Sequence, residues 1–156
     1  MSYDALERGR DIIASGCTYD LSGYVTTVAT EHGITSPGGP RAVVTGYEAR
    51  TSGFPLIEIS PPRGTLTSLS VGNIVTDCEY WVIGTISGAD PTWVDDALMV
   101  YATSLIRLFA SSGYSQGDTW LAEPVEFDYS PPVFESDTTQ KRSVGVLVRF
   151  SFAEAV

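Results

Sequence analysis

The chain has 156 residues, enough for one domain of the usual ~100–150 residues with a core of its own. A hydrophobic share of 43% and a charged share of 18% are those of a globular protein and exclude extensive disorder. Nineteen Asp and Glu against nine Lys and Arg leave a net charge of -10. That argues against tight phosphate-backbone binding, which needs basic residues to displace counterions, but not against a protein that lets DNA slide past.

The first four residues, Met1 to Asp4, are polar, with no basic segment followed by an apolar one, so they do not read as a signal peptide. The longest apolar stretch, 97–110, is broken by Thr103, Ser104 and Arg107 and is shorter than the ~20 residues that span a bilayer. A soluble protein made in the cytoplasm is expected.

Residues 4–15 read as a helix opened by Tyr3 or Asp4, with Ala5, Leu6, Ile12 and Ile13 apolar and Gly16 as its stop; Gly9 weakens it. Residues 21–31 read as a second helix ending at Gly33. The β-branched Val25, Thr26, Thr27, Val28 and Thr30 make a strand nearly as good a reading. Pro37, Gly38, Gly39 and Pro40 mark a loop.

Strands are predicted at 42–47 and 54–60, with a polar turn at 48–53 between them. Pro61-Pro62-Arg63-Gly64 ends the second strand. The Ser/Thr-rich stretch 65–73 reads as a connection, either a weak strand or a mobile surface loop. Residues 74–86 are the longest strand candidate. Cys78, Tyr80, Val82 and Ile86 share one parity, and Asp77, Glu79, Trp81 and Ile83 the other. Acidic residues at its start and apolar ones later predict one exposed end and one end covered on both faces.

Residues 91–112 carry the clearest signal. Asp90 is a good N-cap, Pro91 fits the first helical position, and Gly113 can stop the helix. Asp95 and Asp96 early and Arg107 late match the helix dipole. Val94, Ala97, Leu98, Tyr101, Leu105, Leu108 and Phe109 form one buried stripe. Two alternating strands follow, at 123–129 and 143–152, and an antiparallel pairing is expected. The link between them, 130–142, is longer than a tight hairpin needs; it reads as an assembly arm or a mobile hairpin tip. The fold class is therefore α+β: a mixed, mostly antiparallel sheet packed by one long amphipathic helix, about 91–112, and an N-terminal helix, in a single domain over 1–156.

Residues that carry chemistry are sparse. Cys17 and Cys78 read as buried free thiols, with a disulfide left open. His32 beside Glu31 is the only histidine and reads as an exposed helix-end residue. Asp77 and Glu79 share a strand face but lack the further oxygen ligands a hard cation wants. Asp95 and Asp96 point in different directions and serve the helix start. No G-x-S-x-G elbow, phosphate-binding loop or dinucleotide fingerprint is present, and Gly38-Gly39 reads as a turn. No catalytic residue, metal, cofactor, small-molecule ligand or membrane contact is expected, and the chain is read as not an enzyme.

Three stretches then carry a resemblance: Leu56-Ile57-Glu58-Ile59-Ser60-Pro61, the passage from Trp81-Val82-Ile83-Gly84-Thr85-Ile86 to Asp90-Pro91, and the closing Val144-Gly145-Val146-Leu147-Val148-Arg149-Phe150. In this order of elements the chain resembles the tail-terminator, or tail-completion, proteins of long-tailed bacteriophages, over roughly its last two-thirds. The resemblance implies a non-catalytic subunit, commonly a hexamer, in a homo-oligomer ring at the tail–neck junction of the virion. Such a ring caps the tail tube and docks it to neck or connector proteins, with DNA only as passing cargo in the lumen. Its interface residues are expected among Arg63, Tyr129, Phe134, Lys141, Arg142 and Arg149. The other readings are a different neck or tail-tube-associated protein and, from another class, a small ligand-binding domain or enzyme built around His32, Asp77 or Glu79.

Overall fold

In the computed structural model, residues 5–45, 53–111, 115–116, 120–131, 133–134 and 138–155 are described. Their elements run α1 (Ala5–Tyr19), α2 (Leu21–Glu31), β1 (Ala42–Thr45), β2 (Leu56–Ile59), β3 (Arg63–Ser70), β4 (Asn73–Gly88), α3 (Pro91–Ala110), β5 (Ser115–Gln116), β6 (Trp120–Tyr129), β7 (Val133–Phe134) and β8 (Gln140–Ala155). The class is α+β. One sheet runs β1-β2-β4-β8-β6-β5, with β3 paired to β4 and β7 to β8. Only β1 and β2 are parallel; every other pair is antiparallel.

The sheet's spine is the ladder between β4 and β8, which runs unbroken from Asn73 opposite Ala155 to Gly88 opposite Gln140. Along the other side of β4, β2 takes the stretch Val82 to Thr85 and β3 the stretch Asn73 to Glu79. Strand parity then decides what is covered. Cys78, Tyr80, Val82 and Ile86 of β4, Ile57 and Ile59 of β2, and Val144, Val146, Val148, Phe150 and Phe152 of β8 lie on one face, and all are buried. The helices pack there: Val94, Ala97, Leu98, Tyr101, Leu105, Leu108 and Phe109 of α3, the predicted stripe, belong to the same core as Ile13, Cys17, Leu21, Val25 and Val28 of α1 and α2.

Local chemistry explains the helices. The Asp90 side chain accepts from the Thr92 N–H at 3.0 Å, and Pro91 stands at the first turn, as expected. The helix ends at Ala110 with Ser111 as its cap; the expected stop at Gly113 lies outside the described residues. In α2, the threonine hydroxyls resolve the choice between helix and strand. Thr26, Thr27 and Thr30 each donate to the carbonyl four residues back, at 3.0, 3.0 and 2.9 Å, so their polar atoms are satisfied within the helix while Val25 and Val28 face the core. Gly16 does not stop α1, which continues to Tyr19. The expected caps at Tyr3 and Asp4 and most of the 48–53 turn lie outside the described residues.

Gly9 weakens α1 by propensity but is required by packing. A Cβ there would sit 2.6 Å from the Tyr80 hydroxyl oxygen and 2.8 Å from its ring. The close approach lets the buried Tyr80 hydroxyl donate to the Leu6 carbonyl. The 34–40 segment is fastened to α3 in a similar way: Trp93 Nε1 donates to the Thr35 carbonyl at 3.0 Å and the Tyr101 hydroxyl to the Gly38 carbonyl at 2.6 Å.

Of the two readings of the 65–73 stretch the strand holds, since β3 pairs with β4 from Arg63 opposite Glu79 to Ser70 opposite Asn73. One expectation needs correction. The 130–142 link is shorter than expected, because β8 begins at Gln140 and β7 pairs back on it. Lys141 and Arg142 are therefore strand residues held in the ladder.

Candidate functional site

The helix-covered side holds the buried nucleophile types, and burial makes them inert. Cys17 and Cys78 are both free and buried; desolvation pushes the Cys17 thiol up to about 12 and raises Cys78 as well. Burial likewise raises the Tyr80 and Tyr101 hydroxyls. His32 is exposed at the C-terminal cap of α2, in the helix layer, whereas Asp77 and Glu79 point to the opposite face of the sheet. The three do not form a common pocket. Among the described residues, no three His, Cys, Asp or Glu side chains converge as a metal site would require.

The second face of the sheet carries no helix among the described residues, and its middle is a charge ladder. Arg63 of β3 stands opposite Glu79 of β4, Glu79 opposite Arg149 of β8, and Arg149 opposite Glu123 of β6, so four neighbouring strands present alternating signs in one line. Arg149 holds Glu79 with Nη2 at 2.8 Å and Nε at 3.3 Å. The more exposed Arg63 reaches Glu79 at 3.5 Å, and Glu123 lies 3.9 Å from Arg149. The Arg149 hydrogen bonds hold the Glu79 carboxyl below its ordinary range, with the charge of Arg149 and then of Arg63 adding to the effect. Asp77 and Thr65 border the same shallow depression of about 600 Å³.

Beside the ladder lies a half-buried apolar strip. Trp81 faces Leu147 across the β4–β8 pair, and Leu147 is only 3% exposed although it lies on the face away from the helices. A Cβ at Gly145 would come within 2.9 Å of the Trp81 ring, so glycine there lets the indole lie against the strand. Beyond it, the Thr85 and Ser143 hydroxyls bond each other at 2.7 Å.

The expected interface residues fall into two groups. Arg63 and Arg149 meet at Glu79 on the open face, with Lys141 on the same face of β8, its ammonium 5.6 Å from the Phe54 ring centre. Tyr129 and Arg142 lie at the far end of the helix-covered face. Tyr129 meets Phe127 edge-on with ring centres 5.9 Å apart, and Arg142 pairs with Asp95 of α3 and donates to the Ser130 carbonyl at 3.3 Å. Phe134 lies in β7, opposite Gln140; its side chain is outside the described residues.

Two strand edges complete the surface. From Glu123 to Tyr129, β6 pairs only with β8 among the described residues, and β3 pairs only with β4. On β6, the register shifts between Pro124 and Glu126, which makes Val125 an extra residue and leaves Phe127 and Tyr129 partly exposed on the helix side. Sequence reading missed this bulge, for which Pro124 inside a strand was the available signal. A wide groove of about 1210 Å³ between α1, α2 and the end of α3 is lined by Arg8, Tyr19, Tyr24 and Arg107 among others. Its Arg107 is tied to Glu31 at 2.8 Å.

No helix among the described residues is long and apolar enough to cross a membrane. The chain matches no protein-family model and no curated protein sequence.

Proposed function

We propose that the chain is a structural subunit that assembles with copies of itself into a ring, as a tail-terminator or head–tail joining protein of a tailed bacteriophage. One observation carries this reading: among the described residues, helices cover one face of the sheet, and its other face and the outer edges of β3 and of β6 from Glu123 to Tyr129 carry no further element. Strand edges and a flat, half-buried face are surfaces for association with other chains. Arg63, Glu79, Arg149 and Glu123 on the open face are engaged with one another in a ladder, and the thiols and buried tyrosines lie in an apolar core, so the arrangement favours stacking over chemistry. A head-to-tail contact repeated with a closing rotation gives a ring. Six copies around a passage for DNA, capping the tail tube and meeting a neck protein, is the form implied by the resemblance in the strands at 56–61, 81–86 and 144–150. A net charge of -10 is consistent with a passage that does not retain DNA.

Light scattering and negative-stain imaging of the purified protein, alone and with tail tubes, test the proposal. Discrete rings with a central hole, or a ring at one end of the tubes, are expected. A single chain at every concentration that also fails to attach to tubes overturns it.

A further inference from the structure

The outer edges of β6 and β3 are guarded very differently. β6 carries the devices that keep a sheet edge from pairing: a proline, Pro124; a bulge at Val125; and three carboxylates, Glu123, Glu126 and Asp128. β3 carries almost none. After Arg63 no charged residue and no proline occurs from Gly64 through Thr76, which spans the rest of β3, the Val71-Gly72 turn and the start of β4. The register of β3 is regular from Arg63 to Ser68; its one irregularity, between Ser68 and Ser70, sits at the tip. Side chains on both sides are open to solvent, with Leu66 65% exposed and Val71 fully so. Thr65, Thr67, Ser68 and Ser70 keep the hairpin wettable, which suits a strand that waits for a partner in solution.

We propose that the β3–β4 hairpin is the arm by which one copy of this chain joins the next, its β3 edge adding main chain to main chain onto a strand of a second copy. The occupant follows from charge. Two molecules that each carry -10 repel wherever their acidic surfaces meet, and the hairpin is a long stretch where they approach without that cost. A basic partner would be drawn to the acidic residues of β6 and gains nothing from an uncharged edge. The inference rests on the self-assembling reading above and specifies its contact.

The test replaces Leu66 and Thr67 by lysine together, one on each face of β3, the guard that natural edge strands use. The net charge falls in magnitude from -10 to -8, so general repulsion between copies weakens, and any loss of association belongs to the edge. A control carries the same charge change on the exposed side of α2, as Thr26→Lys with Thr30→Lys. Sedimentation over a concentration series is expected to show wild type and control assembling alike. The hairpin variant should need at least ~10-fold more protein, a shift of ~1.4 kcal/mol in the association free energy. In case that variant misfolds, amide exchange of the wild type gives a second reading, with the β3 amides slowing on assembly. Assembly of the hairpin variant at wild-type concentrations, or β3 amides that exchange equally fast in assembled and dissociated protein, overturns the arm and leaves the ring standing. A wild type that stays a single chain, alone and with tail tubes, overturns both.

Discussion

The two faces of the sheet are built from the same strands and held by different forces. Toward the helices, alternate residues of β2, β4 and β8 are apolar and buried to within 1% of full coverage, from Ile57 and Tyr80 to Phe150 and Phe152. On the other face, the same strands carry Glu79, Trp81, Leu147 and Arg149, in which one apolar strip adjoins a line of alternating charges. The first face is specified by volume, since close packing makes every methylene count. The second is specified by cross-strand pairing, where each contact contributes little and depends on pH and salt. A face of that kind remains available for contacts with other molecules; a packed one does not.

The contrast is sharpest where a side chain is removed. Phe150 stacks on Phe152 with ring centres 5.5 Å apart and meets Tyr80 edge-on at 5.9 Å. Phe150→Ala is expected to cost ~3–5 kcal/mol by urea unfolding, the usual range for a buried aromatic. A cost below 1 kcal/mol would show that the helix layer does not seal this face. Gly9→Ala is the opposite perturbation, a methyl added where Tyr80 already stands at 2.6 Å. Helix propensity alone makes alanine better by up to ~1 kcal/mol. The clash should reverse the sign and destabilise by ~1–3 kcal/mol, the cost of overpacking. A variant more stable than wild type would mean that α1 does not rest on Tyr80.

These two positions also mark where the sequence was legible. Elements with a strong local signature were readable: the Asp90-Pro91 start and apolar stripe of α3 specify that helix with no help from the rest of the chain. Where tertiary contact overrides local preference, the helices were readable but ambiguous. Gly9 looks like a flaw until Tyr80 is placed against it. The hydroxyls of Thr26, Thr27 and Thr30 turn β-branched residues into acceptable helix formers only once they bond back along α2. β3 was readable only as a weak strand or a loop, because side chains on both of its sides are exposed and carry little apolar pattern. The charge ladder was present in the sequence as Arg63, Glu79, Glu123 and Arg149, but their alignment depends on three strand registers that no local pattern encodes. The interface residues were read as one group; the β8 register and the Asp95 contact assign Arg142 to the helix side and Arg149 to the open face.

The faces should also answer pH in opposite directions. Cys17, Tyr80 and Tyr101 all have folded-state values raised by burial. Their contribution is complete below the value of the unfolded group, ~8.5 for a thiol, and is lost as pH rises. For Cys17 the loss runs up to about 12. The covered face is therefore expected to weaken the fold under alkaline conditions, seen as a melting temperature that falls above pH 9 or so. Glu79 is lowered, so its contribution is complete above the ordinary carboxylate value of ~4.3 and is lost as pH falls through its folded value.

Glu79→Gln isolates that last term and is the smallest effect expected. Glutamine keeps the size and one acceptor but removes the charge that Arg149 and Arg63 share. At neutral pH the cost should be ~0.2–1 kcal/mol, because the pairs are partly solvated. The variant should also lose part of the wild type's acid sensitivity, while its alkaline response stays unchanged. A cycle with Arg149→Met apportions the pair: coupling that shrinks in high salt belongs to the ladder, as screening of accessible charges requires. Coupling that is large and indifferent to salt would make the open face a second packed layer, and the contrast between the two faces would fail.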